Sequence, residues 1–220
     1  AVGSPIGKIQ IEDDFEPHFE VFKHTVEIAK ILETRYIRLF SFFMDVTKAE
    51  SYRDEVMRRM KAFCDYVEGS DIILLHENEK EIYGDIPERC LDIYETMQSD
   101  NLRLIFDPAN FIQCGVETYP AAYYMLKDHV VYLHIKDALK ESGKVVPSGF
   151  GDGHISDILA ELVRKGYVGF LSLEPHLGHF EGFDELEGDD GLDFEEKSDA
   201  GKFKLAVDSL RAILREVQNG

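Results

Sequence analysis

The stretch IILLHENEKEIYGD, residues 72–85, decides how the rest of the chain is read. It opens on four consecutive apolar residues, a run that suits a parallel strand buried on both faces better than a strand with one wet side. It then changes character within one residue. His76, Glu77, Asn78 and Glu79 follow in succession, so polar groups stand at the carboxyl end of a buried strand, and strand alternation places Glu77 and Glu79 on the same face.

Outward from this stretch the same event recurs at intervals of roughly thirty residues, as expected for βα units. Strands are expected at Tyr36 to Phe43, Ile72 to Glu77, Leu102 to Asp107, Val130 to Ile135 and Phe170 to Glu174. Amphipathic helices are expected around 16–34, 47–68, 85–99, 117–127, 154–166 and 199–217. Two architectures fit: a doubly wound open sheet and a (β/α)8 TIM barrel. No GxGxxG turn follows an early strand, and polar residues close several different strands rather than one switch point, so the α/β fold expected is the barrel, as a single domain over 1–220. The opening VGSPIGK reads as the end of a sixth strand. Eight strands and ~250 residues are usual, so the chain is expected to carry strands 3 to 8 and to lack the first two βα units.

Composition narrows the function. The formal net charge is −19 with 30% charged residues and no basic cluster, which argues against nucleic acid or an anionic membrane as partner. Neither a signal-like opening nor an apolar run of spanning length is present, so a soluble, cytoplasmic protein is expected. Cys64, Cys90 and Cys114 show no CxxC pairing and read as reduced thiols, Cys64 and Cys90 within helices. The segment Glu181 to Glu196 holds nine acidic residues among sixteen. It reads as a solvated excursion after the last strand or as a loop that closes over a site.

Four strand ends carry the chemistry. Glu77 closes IILLHE, Asp107 closes RLIFD before a Pro, His134 lies in VVYLHIKD with Lys136 two residues on, and Glu174 and His176 flank Pro175 in FLSLEPHL. Taken singly, the Asp-Pro reads as a turn, the His as a bonded core residue and Glu174 as a surface acid or helix start. Four such coincidences at consecutive strand ends point instead to a shared site. Three carboxylates and an imidazole make a hard, oxygen-rich set suited to Mn²⁺, Mg²⁺ or Co²⁺, with Zn²⁺ also compatible.

The ordered motifs HENEKEIYGD, FDPANF, LHIKD, SGFGDGHI and LEPHL resemble the sugar phosphate isomerase/epimerase branch of the xylose-isomerase-like TIM-barrel superfamily, and SPIGK with YIRLFSFF fits its third and fourth strands. The resemblance spans essentially the whole chain. It implies a divalent-metal-dependent isomerase or epimerase of carbohydrate metabolism, working on a small sugar, keto-acid or sugar phosphate through a metal-stabilised enediolate. It implies Glu77, Asp107, His134 and Glu174 as metal ligands and Glu77 and Glu174 as the acid/base pair. Asn110, Lys136 and His176 are then substrate-contacting or supporting groups, with Lys8 and Arg38 as further candidates for a phosphate or sugar hydroxyl; Arg38 reads equally as a strand-end charge paired with a neighbour. A homo-oligomer is compatible with this reading. The chain departs from the pattern at Phe150, where many relatives carry Glu or another polar residue between the two glycines, and at Asn110, where epimerases often carry His. Competing readings are a metal-dependent lyase of the inosose dehydratase kind, an apurinic-site endonuclease and a non-catalytic barrel.

Overall fold

A computed structural model describes residues 1–177 and 199–219. The acidic segment Glu181 to Glu196 lies outside the described residues. In chain order the elements are α1 (Phe15–Ile31), β1 (Tyr36–Leu39), α2 (Ala49–Val67), β2 (Ile73–Glu77), α3 (Pro87–Met97), β3 (Leu102–Phe106), α4 (Pro108–Gln113), α5 (Tyr123–Leu126), β4 (Val130–Ile135), β5 (Asp137–Ala138), β6 (Val145–Val146), α6 (Ile155–Arg164), β7 (Phe170–Leu173) and α7 (Asp199–Asn219). Five strands stand in the order β1, β2, β3, β4, β7, while β5 and β6 form a separate antiparallel pair. The pairings of β1 with β2, β2 with β3 and β4 with β7 are parallel, as the apolar runs require. No described helix is long and apolar enough to cross a membrane.

The chain divides into two compact units, Ala1–Phe106 with Met125–Val131 and Asp107–Tyr124 with Tyr132–Gly220. In the first, α1 starts where the Asp14 carboxylate accepts the Glu16 amide, and it buries Phe15, Phe22, Val26 and Ala29 at helical spacing. Phe63 of α2 meets Phe22 at 4.5 Å between ring centroids and also packs on Phe15 and Phe42. Arg59 is buried among these rings. Its guanidinium lies over Phe15 and Phe42 and donates to the carbonyls of Ile11 and Asp13, so its charge sits over two aromatic faces and ties down the loop before α1. Cys64 and Cys90 are buried free thiols as expected, and burial pushes the Cys64 thiol up to about 11.

Two expected features differ. The first strand stops at Leu39 rather than Phe43, because Phe42 takes a left-handed conformation (φ +69°) that turns the chain out of the ladder. The opening VGSPIGK lies beside β1 but forms only a single parallel bridge, Val2 to Ile37. Pro5 has no N–H for a ladder, and the Ser4 hydroxyl instead donates to the Arg38 carbonyl. The contact resumes where the Phe40 and Phe42 amides donate to the carbonyls of Ile6 and Gly7.

In the second unit, β4 and β7 pair with Tyr132 opposite Phe170 and His134 opposite Ser172. The short helix α4 was not expected from the sequence, where Asp-Pro read as a turn. It forms because Asp107 caps it and Pro108 occupies its first turn with φ already helical. Ala109 and Ile112 of α4 pack on Ala138 of β5, which anchors the β5–β6 hairpin to the helix.

Two glycines with similar left-handed φ separate backbone strain from steric crowding. A Cβ on Gly7 (φ +90°) would lie 2.1 Å from the Phe40 carbonyl oxygen, whereas a Cβ on Gly69 (φ +74°) meets nothing within 4 Å. Gly69→Ala is expected to cost about 1 kcal/mol of unfolding free energy in urea. Gly7→Ala, forced against backbone, should cost clearly more; equal losses would contradict the close packing of the opening segment on β1.

Candidate metal centre

The second unit brings three of the expected ligands together. Asp107, first after β3 and fully buried, points one oxygen each way. Its Oδ1 accepts the Asn110 amide at 2.9 Å as the cap of α4. Its Oδ2 lies 3.6 Å from His134 Nδ1 and 3.4 Å from Lys136 Nζ. The other ring nitrogen of His134, Nε2, lies 3.5 Å from Glu174 Oε1, and His176 Nε2 is 3.7 Å from Glu174 Oε2.

Backbone register explains the convergence. His134 sits opposite Ser172 on paired parallel strands, and Glu174 follows Ser172 by two, so the alternation of side chains carries His134 and Glu174 to one face. The Glu174 amide donates to the Ile135 carbonyl, which extends the pairing to the point where Pro175 stops it. Lys136 also reaches the Asp107 carboxylate, as its spacing from His134 predicts.

The separations carry chemical information. At 3.5–3.6 Å the His134 nitrogens are farther from the carboxylates than the ~2.7–3.2 Å of a good N–H···O bond. Asp107, His134 and Glu174 each present a ligand atom within 4.8 Å of the others'. Donors bound to one small divalent ion at ~2.0–2.2 Å stand ~2.8–3.6 Å apart. Two carboxylates and an imidazole, with Asp107 and His134 nearly dehydrated, therefore fit a hard or borderline divalent cation.

The first unit holds the remaining candidates. Glu77 closes β2 at 2% exposure, with Oε2 3.4 Å from Arg38 Nη1. Arg38 comes from β1, where it lies in register with Leu75 two residues before Glu77, so its position on Glu77's face follows from pairing. Past the strand, Glu79 meets Lys8 at 3.5 Å. Both cations rest on the Phe40 ring, Lys8 at 4.5 Å and Arg38 at 5.1 Å from its centre. Lys8 and Arg38 are thus each engaged with a carboxylate, in keeping with the paired-charge reading of Arg38.

Two buried groups were missed by the sequence reading. His76, on the opposite face of β2 from Glu77, shares a 3.0 Å hydrogen bond with Ser41, whose hydroxyl also accepts the Gly84 amide. Burial lowers its pKa to about 3, so it is a neutral structural residue. The second is Asp137, fully buried, whose Oδ1 accepts from the Ala138 and Gly153 amides and whose Oδ2 accepts from Gly149 and Gly151, at 2.8–3.1 Å. Burial raises its carboxyl above the ordinary aspartate value while these four donors pull it down. A Cβ at Gly151 would fall 2.4 Å from Asp137 Oδ1, so glycine is required for the approach. The signal in the sequence was the alternation of glycines at 149, 151 and 153 a short way past a strand-end Asp.

Residues 8–198 match the family model described as xylose isomerase-like TIM barrel. The chain belongs to this family. Its fold is that of a TIM barrel, as the recurring strand ends imply. Among solved structures, an L-ribulose 3-epimerase aligns with a TM-score of 0.74 at 15% identity, over 99% of this chain and 74% of that one. A D-tagatose 3-epimerase-like protein gives 0.72 at 17% identity, over 99% and 78%. A xylose isomerase-like TIM barrel protein from Mycobacterium smegmatis, in complex with magnesium, gives 0.65 at 14% identity, over 93% and 68%. At these identities the likeness is one of fold. No curated protein matches the sequence.

Asp137→Asn replaces one acceptor oxygen with an NH₂ group and leaves two of the four loop amides unsatisfied. The expected result is a loss of about 2–3 kcal/mol in stability, with faster hydrogen exchange concentrated at Gly149, Gly151 and Gly153. Uniform exchange across the second unit would contradict a local clasp.

Proposed function

We propose that this family member is a divalent-metal-dependent isomerase or epimerase acting on a small sugar, keto-acid or sugar phosphate. The observation that carries the proposal is the convergence of Asp107, His134 and Glu174, each presenting a ligand atom within 4.8 Å of the others'. The reading adds Glu77 as fourth ligand. Its support is position: Glu77 ends a buried strand in register with Ile105, and the alternation that carries Ile105 to one face carries Asp107 to the same face. The donor set suits Mn²⁺, Mg²⁺ or Co²⁺, and Zn²⁺ is compatible. The epimerase names of two structural neighbours point the same way.

When bound, the cation supplies positive charge where the substrate carbonyl oxygen becomes that of an enediolate. The remaining work falls to side chains. One of the pair Glu77 and Glu174 takes the proton from the carbon beside the carbonyl, and the C–H electron pair moves into the carbon skeleton as the carbonyl becomes an enediolate. The other returns a proton from the opposite face, so protons balance and the centre is inverted. In this scheme Lys136 holds Asp107 and meets a substrate oxygen, His176 orients Glu174, and Asn110 lines the same end. Arg38 and Lys8 position Glu77 and Glu79.

Protein loaded with Mn²⁺ or Mg²⁺ and mixed with a panel of ketoses in D₂O should incorporate deuterium beside the carbonyl. Glu174→Gln should lower the rate by about 10²-fold or more, the scale of a general acid or base. Exchange that is absent with every substrate, or a dehydrated product in its place, would overturn the proposal.

A further inference from the structure

Lys136 and the candidate cation meet at one oxygen. Asp107 commits Oδ1 to the Asn110 amide at 2.9 Å, which leaves Oδ2 facing His134 Nδ1 at 3.6 Å and Lys136 Nζ at 3.4 Å. Lys136 is 3% exposed and Asp107 is fully buried, so the ammonium meets this carboxylate out of bulk water. A carboxylate oxygen has lone pairs for two partners, and the contest between Lys136 and a divalent ion is therefore one of charge rather than of space. An ion held ~2.0–2.2 Å from Oδ2 would lie no more than ~5.6 Å from the ammonium. At that separation, in a site shielded from water, repulsion between a single and a double positive charge weighs against the ion.

The backbone keeps Lys136 where it is. It follows His134 by two residues at the end of β4, and alternation turns both side chains towards Asp107. Its neighbour Asp137 gathers the amides of Ala138, Gly149, Gly151 and Gly153 and pairs with Val146. With the chain pinned there, the ammonium is held near Asp107 by its main chain as well as by its charge. The balance of charge then favours a further participant. Asp107 and Glu174 supply two negative charges against three positive ones from Lys136 and a divalent ion, with the imidazoles uncharged as ligation requires of His134. The Glu77 carboxylate is offset by Arg38 within its own unit. The loaded centre therefore carries an excess of one positive charge.

We propose that Lys136 is a built-in counterweight to the metal: it weakens binding of the divalent ion alone and makes tight binding depend on a negatively charged oxygen ligand. An α-hydroxy carboxylate or an enediolate, set between ion and ammonium, has that chemistry. This rests on the metal centre of the reading above. Ion and anionic ligand then raise each other's affinity by the same factor, because the coupling is one free energy. The ammonium also favours an enediolate over the neutral ketone from which it forms, since only the former brings charge.

Calorimetry with Mn²⁺ reads this without turnover. Lys136→Met, which nearly keeps the side-chain length and removes the charge, should bind Mn²⁺ about tenfold more tightly than the wild type, and Lys136→Arg should stay within about twofold of it. Saturating glycolate, the smallest α-hydroxy carboxylate, should tighten Mn²⁺ binding to the wild type by a factor about tenfold larger than in Lys136→Met. Lys136→Gln carries the same expectations should the Met variant not fold, because its amide still offers Asp107 a donor. A residue with only a structural role would leave Mn²⁺ binding unchanged or weaker on its removal. Either result overturns the proposal, as does equal tightening by glycolate in the wild type and the charge-free variant. Equal Mn²⁺ affinity in all of these proteins leaves the metal centre standing and removes the counterweight; Mn²⁺ binding to none of them removes both.

Discussion

The structure of the second unit depends on how one carboxylate is shared. Asp107 gives one oxygen to the backbone, capping α4 through the Asn110 amide, and presents the other to His134 and Lys136. A carboxylate with no surface exposure is costly to keep charged, and the cap and the Lys136 ammonium offset that cost. The cap also locks the side-chain rotamer, so the oxygen that faces the site is aimed before any ion arrives. Preset donors of this kind bind a cation without first paying to be ordered.

The same economy runs through the loop that follows β4. Lys136 and Asp137 are adjacent, and alternation sends them to opposite jobs: Lys136 reaches back to Asp107, while Asp137 collects four backbone amides of its own loop. Helix α4 joins the two, since Asp107 starts it and Ala138 packs against it. A fault in the clasp would reach the candidate centre through this helix. The close approach of Gly153 to Pro108 ties the same loop to the start of that helix.

Much of this was legible in the sequence because buried parallel strands leave a strong mark. The run IILL ends at Glu77 and VVYLHI passes through His134, and in both cases period and polarity alone located the residue and its face. Asp107 and Glu174 were legible for a related reason, since Pro108 and Pro175 mark where each ladder must stop. What escaped was made of interactions between residues far apart in sequence. The cap that turns Asp-Pro into a helix start and the amides gathered by Asp137 have no periodic signature. The early end of β1 was hidden because a left-handed Phe42 breaks the usual preference of bulky residues for negative φ.

The central proposal is that Asp107, His134 and Glu174 ligate one divalent ion, with Glu77 as the fourth ligand the sequence implies. Crystals grown with Mn²⁺ test it most directly through the anomalous signal of the metal. The account predicts one strong peak within ~2.0–2.4 Å of a donor atom from each of the four residues. Full manganese density elsewhere, or a well-ordered site in which His134 closes hydrogen bonds to Asp107 and Glu174 in excess Mn²⁺, would contradict it.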